Sequence, residues 1–248
     1  MAAGGCSNKT RGCFGGGEGS YFNIIDYVTI LTAANATDFG DLTVARKGMG
    51  GYTASETRGI FCGGENSTTT MDYITIATAG NAADFGDHTA AYGTSITSSL
   101  TRGIIHIAQK VGNSYNDEVE YVTIDTAGNA ASFGDLTDGR YGTMVSTNLT
   151  RALFAGGKYA SGSSNRDIID YVTIATTSNA TDFGDLTQAR YFGGGCSTTT
   201  RGVFGGGYSG SSNYNTMDYV TIATAGNATD FGDLTTAVRG NNGLSDIL

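Results

Sequence analysis

Apolar residues recur along this chain in short runs of strand type. The run YVTIAT (residues 219–224) is made of β-branched and aromatic residues without a helical period, so it predicts a strand. AGNA (225–228) follows with Gly-Asn turn chemistry, and DFGDLT (230–235) reads as a second, edge-like strand carrying polar residues. Upstream, GGGCSTTTRGVFGGG (193–207) reads as two more short strands around a Ser/Thr-rich turn. The unit is four antiparallel strands.

That unit occurs five times. RGCFGGG at Arg11 returns as RGIFCGG at Arg58, RGIIHIA at Arg102, RALFAGG at Arg151 and RGVFGGG at Arg201. DYVTI or a close variant begins at Asp26, Asp72, Glu120, Asp170 and Asp218. DFGDLT or a variant begins at Asp38, Asp84, Ser132, Asp182 and Asp230. The spacing is 44–50 residues and the copies fill nearly all of the 248 residues, leaving no linker. Four strands in about 48 residues is the size of one propeller blade. The expected fold is all-β: a five-bladed β-propeller with four antiparallel strands per blade. It is a single domain over 1–248, with blades near 1–45, 46–91, 92–139, 140–189 and 190–237 and a tail at 238–248. In such a fold both faces of a sheet are covered, so Tyr219 and Val220 should be buried against opposite neighbours. The glycine clusters at 15–17, 63–64, 156–157 and 205–207 suit close approach of backbones near the axis.

The stretch from ARYFGGGCSTTTRGVFGGG to MDYVTIATAGNATDFGDLT resembles a kelch repeat. Its features fall on Arg190, ahead of the inner strands, on the double glycine Gly206 and Gly207, and on Tyr219 and Phe231. Phe stands where that family usually has Trp. The third copy, IIHIAQ at 104–109, lacks the double glycine. Most kelch propellers have six or seven blades, so five copies imply a five-bladed ring or a partial ring completed by another chain. The tail AVRGNNGLSDIL looks like the opening of a sixth copy, and both it and the N-terminal GGCS suit an innermost strand. The N-terminal segment is expected to keep that place in the first blade, with the tail beside it or on another subunit.

Composition narrows the function classes. A net charge of −9 repels phosphate backbones, so nucleic acid is not an expected partner. No apolar stretch approaches the ~18 residues that span a bilayer. The opening MAAGGCSNKTRG has no basic start and apolar middle, so export through a secretory leader is not expected. Cys6, Cys13, Cys62 and Cys196 include no C-x-x-C and read as free, small apolar residues. A disulfide between Cys6 and Cys196 is conceivable if the ring closes.

The motifs carry little catalytic chemistry. DFG lacks the lysine and catalytic loop of a kinase, so its Phe packs and its Asp residues cap turns. FGGGYSG lacks GK[ST] and a following helix. The NATDFGD carboxylates match no calcium-loop spacing, so pairing with the repeated arginines, such as Arg190 and Arg201, is the simpler expectation. His88 and His106 lie in different copies without partners. Glu65 and Asp117 break the repeat on loops. Neither a catalytic set, a metal site nor a cofactor is expected.

Variation concentrates between the second and third strands of each copy, in Tyr, Ser, Gly and Asn, which suits adaptable binding loops. The candidate binding residues there are Tyr21, Asn66, Tyr115, Tyr159 and Tyr208. The near-identical wording of the copies resembles repeat proteins of tailed, particularly marine, bacteriophages. That resemblance implies a virion structural or adhesion module in a tail, fibre or capsid decoration, released by host lysis. Its partners would be other virion proteins or a host surface glycan or receptor. A five-site lectin and an intracellular protein scaffold are the alternatives, with extracellular or cytoplasmic locations, and homo-oligomers fit each.

Overall fold

The computed structural model describes residues 4–17, 21–46, 51–64, 69–110, 115–159, 164–241 and 243. Within them the chain forms five four-stranded antiparallel sheets, each a meander of consecutive strands. The first holds β1 (Gly4–Ser7), β2 (Arg11–Gly15), β3 (Phe22–Thr29) and β4 (Thr37–Arg46). The second holds β5 (Gly51–Ala54), β6 (Arg58–Cys62), β7 (Thr70–Thr75) and β8 (Ala83–Asp87), and the third β9 (Ala91–Ser98), β10 (Arg102–Lys110), β11 (Glu118–Thr123) and β12 (Ala131–Asp135). Then comes β13 (Arg140–Tyr141), before a fourth sheet of β14 (Met144–Thr147), β15 (Arg151–Ala155), β17 (Ile168–Thr173) and β18 (Thr181–Asp185). β13 pairs with β16 (Lys158–Tyr159) in a separate two-stranded ladder. The fifth sheet holds β19 (Gly194–Ser197), β20 (Arg201–Gly205), β21 (Tyr214–Thr221) and β22 (Thr229–Val238). Neighbouring first strands touch in the order β1, β5, β9, β14, β19, so the sheets follow one another as wedges of a propeller-like fold.

The apolar core is divided in the same way. Four buried clusters each lie between two successive sheets. Between the first and second, Ile25, Phe39 and Leu42 meet Phe61, Ile74 and Ile76. Between the fourth and fifth, Phe183 and Leu186 meet Phe204, Val220 and Ile222. Val220 is buried as the repeat pattern requires. Tyr219 is only half-buried, and what covers its ring on one face is the Arg201 guanidinium, 4.3 Å from the ring centroid. The same Arg–Tyr stack recurs in every sheet at 4.3–4.5 Å.

The DFG word builds a β-bulge. In the fourth sheet Ile169 pairs with Gly184 and Asp170 with Asp182, so Phe183 is the extra residue and is turned into the interface. The Asp182 side chain accepts a hydrogen bond from the Gly184 N–H at 3.2 Å, and Asp38, Asp84 and Asp230 do the same for their own glycines. These aspartates therefore brace the bulge and do not pair with the repeated arginines. Gly184 sits at φ 142°, and a Cβ there would lie 2.5 Å from the carbonyl carbon of Gly226 in the next sheet. That contact carries the wedge-to-wedge hydrogen bonds. Gly226 N–H donates to the Phe183 carbonyl (2.7 Å), Ala228 N–H to the Asp185 carbonyl (2.7 Å), and Asp185 N–H to Asn227 Oδ1 (3.1 Å). Arg151 adds a bond to the Ile222 carbonyl at 2.8 Å. An Asn and an Arg contact of this kind occur at each of the four interfaces, at 3.0–3.2 and 2.8–3.1 Å respectively.

A second set of arginines enters the sheets from the connections between wedges. Arg46, Arg140 and Arg190 are fully buried against Asp72, Asp170 and Asp218. The aspartate partners come from the DYVTI word, which the sequence pattern does not single out. A Thr at the end of the preceding outer strand bonds the same carboxylate, Thr187 to Asp218 at 2.6 Å for example. The double glycine serves this arginine: Gly207 at φ 113° leaves room for the Arg190 side chain, whose Cδ would be 3.2 Å from a Cβ. The clusters thus seat arginines at the end of the second strand, in addition to relieving crowding between inner strands. In the third copy the word FGDHTAAY carries Tyr92 where FGDLTQAR carries Arg190, the glycines are absent, and Glu120 holds Thr89 through its hydroxyl and its N–H.

Candidate functional site

The second-to-third-strand loops and the connections between wedges lie at one end of the sheets. Backbone bridges close single loops, Gln109 to Tyr115, Lys158 to Asn165 and Tyr208 to Asn213, and Tyr191 to Tyr208 joins a connection to a loop. The connections carry a Tyr directly after the buried arginine, at Tyr141 and Tyr191. Arg140 and Arg190 anchor this end, where Tyr141 is half-buried and Tyr191 is buried.

The result is a continuous aromatic strip. Tyr115 stacks on Tyr141 with centroids 4.5 Å apart and planes at 24°. Tyr141 meets Phe192 edge-on at 5.5 Å and Tyr191 at 5.8 Å. Tyr191 meets Tyr208 at 5.6 Å. Three cations lie on rings of this region: Arg239 over Tyr208 (4.1 Å), Lys158 over Tyr191 (5.6 Å) and Arg166 over Tyr159 (4.5 Å). Arg166 is also bonded to Asp138 at 2.8 Å. Burial, followed by the neighbouring Tyr115, pushes the Tyr141 phenol well above its ordinary pKa, so it stays protonated at neutral pH.

Of the five sequence candidates, Tyr115 and Tyr208 fall in this strip and Tyr159 lies beside it through β13 and β16. Tyr21 is exposed immediately before β3. Asn66 lies outside the described residues. Sequence reading missed Tyr141, Tyr191 and Phe192. Their signal is the word Arg-Tyr ahead of an inner strand, where the Arg alone had been given a role.

The two histidines have structural roles. His106 is fully buried between the Thr143 hydroxyl (3.3 Å) and the Asn116 carbonyl (3.1 Å), with its ring edge-on to Phe154. Burial pulls its pKa down to about 3, so it is neutral and ties a loop to a connection. His88 is likewise buried, bonded to the Thr89 carbonyl at 2.7 Å and shifted downward by burial. Among the described residues no three His, Cys, Asp or Glu side chains stand close enough to hold a metal ion. All four cysteines are free thiols. Cys6 faces Cys13 across β1 and β2, and Cys196 faces Val203. No helix among the described residues is long and apolar enough to cross a membrane.

No family profile and no curated protein matches this chain. In overall fold it is similar to the solved structure of YjhT, with a TM-score of 0.77 at 9% sequence identity. The match covers 98% of this chain and 86% of that one. At that identity the likeness speaks to fold alone.

Proposed function

We propose that this chain is a non-enzymatic, kelch-like propeller module of five blades that binds a surface ligand through its aromatic strip, and that it serves on a bacteriophage particle. The strip carries the reading. Half-buried rings from the third, fourth and fifth repeats, Tyr115, Tyr141 and Tyr208, are joined through the buried Tyr191 into one run of ring edges with Arg239 stacked at its end. Such a surface suits a polar ligand with apolar faces, for which a host glycan is the natural class. Four of the buried ionisable groups are engaged in holding the fold: Asp72, Asp170 and Asp218 by arginine, His106 by Thr143 and Asn116. The phage setting is supported by the resemblance of the repeat wording. One composite strip also fits better than five equal sugar sites, since the repeats contribute unequally.

A glycan array probed with the wild type and with Tyr208→Ala tests the binding reading. The expected result is competable hits that weaken about tenfold or more in the variant, the scale of losing one buried aromatic contact. Hits unchanged by Tyr208→Ala and Tyr115→Ala would remove the strip from consideration. Mass spectrometry of purified particles tests the virion reading, which requires a copy number matching a shell or tail symmetry.

A further inference from the structure

Five sheets have four spaces between them, and the two outer faces of the series are not alike. On the fifth sheet Phe231 is 48% exposed, whereas Phe39, Phe85, Phe133 and Phe183 are 2–3% exposed. Gly232 has nothing within 4 Å of where its Cβ would stand. Arg201 lies over Tyr219 but makes no hydrogen bond through its guanidinium among the described residues, although its four counterparts each reach a carbonyl in the next sheet. The first sheet exposes the opposite half of the same interface. Ile30 is 51% exposed, against 0–2% for Ile76, Ile124, Ile174 and Ile222. Phe14 is 50% exposed, while Phe61, Phe154 and Phe204 are fully buried. Asn35 is the counterpart of Asn81, Asn129, Asn179 and Asn227, each of which accepts a backbone N–H from the preceding sheet.

The chain beyond β22 shows why these two faces do not meet. Gly240 N–H donates to the Phe192 carbonyl (2.7 Å) as Phe192 N–H donates to the Gly142 carbonyl (2.9 Å), and all three residues are left-handed, at φ 69°, 59° and 71°. Asn241 then bonds the Gly205 carbonyl through Nδ2 at 3.2 Å. Gly243 lies on the Gly195 backbone as Gly195 lies on that of Val145. Gly240 and Gly243 thus repeat the contacts of Phe192 and Gly195, and lie against the fifth sheet where the first strand of a following wedge would stand.

We infer that the space between the fifth and first sheets is a docking site for one further copy of this repeat, entering as three antiparallel strands. The tail supplies the start of the inner strand. The incoming strands would place an Asn-Ala turn on Gly232 and a carbonyl on Arg201 at one side, and a bulged Phe over Ile30 and Phe14 at the other. The turn and arginine contacts each have four precedents within the chain, and the bulged Phe over an Ile and a Phe has three, Ile105 replacing the Phe in the third sheet. A whole second copy is a poorer occupant, because its second wedge would fall on the first sheet of this chain.

The test is calorimetric titration of the full chain with a synthetic peptide of residues 198–237. Saturable 1:1 binding and a raised melting temperature are expected, with affinity falling up to about tenfold when the peptide carries Asn227→Ala, the effect of one hydrogen bond. The protein variant Asn35→Ala should weaken binding from the other side to a similar degree. Absence of binding would overturn the inference, as would equal binding by the Asn227→Ala peptide. Sedimentation showing a dimer of the chain that Asn35→Ala abolishes would also overturn it, by giving the site to a second copy.

Discussion

Alanine at Gly184 and at Gly232 makes a paired experiment in which the backbone penalty is shared and the packing penalty is not. Both glycines follow a bulged Phe, at φ 142° and 126°, a region where an L-residue costs about 1–3 kcal/mol. At Gly232 the new methyl meets nothing within 4 Å. At Gly184 it would stand 2.5 Å from the Gly226 carbonyl carbon and 2.8 Å from Asn227 N. These are backbone atoms that cannot rotate aside, so the two sheets must separate. Overpacking of this kind costs about 1–3 kcal/mol. Loosening the Gly226–Phe183, Ala228–Asp185 and Asp185–Asn227 hydrogen bonds adds about 0.5–1.5 kcal/mol for each one lost. Gly184→Ala should therefore exceed Gly232→Ala by about 2–4 kcal/mol. At about 2–4 °C per kcal/mol for a chain of this size, that separates the melting temperatures by roughly 5–15 °C. Circular dichroism melts of both variants and the wild type, with urea titration as a second measure, would read it. Equal losses would refute the reasoning, because they would mean that the fifth sheet is covered like the others.

Asp218→Asn leaves the buried Arg190 without its counter-charge and should cost about 3–5 kcal/mol in urea unfolding. Glu56→Gln, which breaks only the exposed Lys9 pair, should be nearly silent in the same assay. The folded-state pKa of His106, about 3, lies below its ordinary 6.5, so its neutral form stabilises the fold above pH 6.5. That contribution, at most about 4–5 kcal/mol, disappears as pH falls from 6.5 towards 3. Stability measured from pH 7 to 4 should accordingly fall less steeply in His106→Gln than in the wild type. Burial pushes the Cys62 thiol up to about 12, so at pH 8 iodoacetamide should label it only at the rate of unfolding, as peptide mass spectrometry can follow.

The sequence by itself determined the strands, their order and the five-fold recurrence. Those properties are written in near neighbours: the β-branched run of YVTIAT, the turn chemistry of AGNA, the Gly that lets DFG bulge. The GGCS word was enough to identify β1 as an inner strand, and the GNNG tail enough to suggest another. Which residues meet across the wedges was decided only in three dimensions. Asp218 and Arg190 are 28 residues apart, and nothing local distinguishes that aspartate from Asp230, which braces a bulge instead. Tyr115 and Tyr141 come from different repeats, and their stacking depends on how far one sheet turns relative to the next. Five copies of one phrase do not state the angle between wedges. That angle is set by backbone contacts such as Gly184 on Gly226 and by the bulk of the four buried clusters, and it decides whether the last face finds the first or is left open.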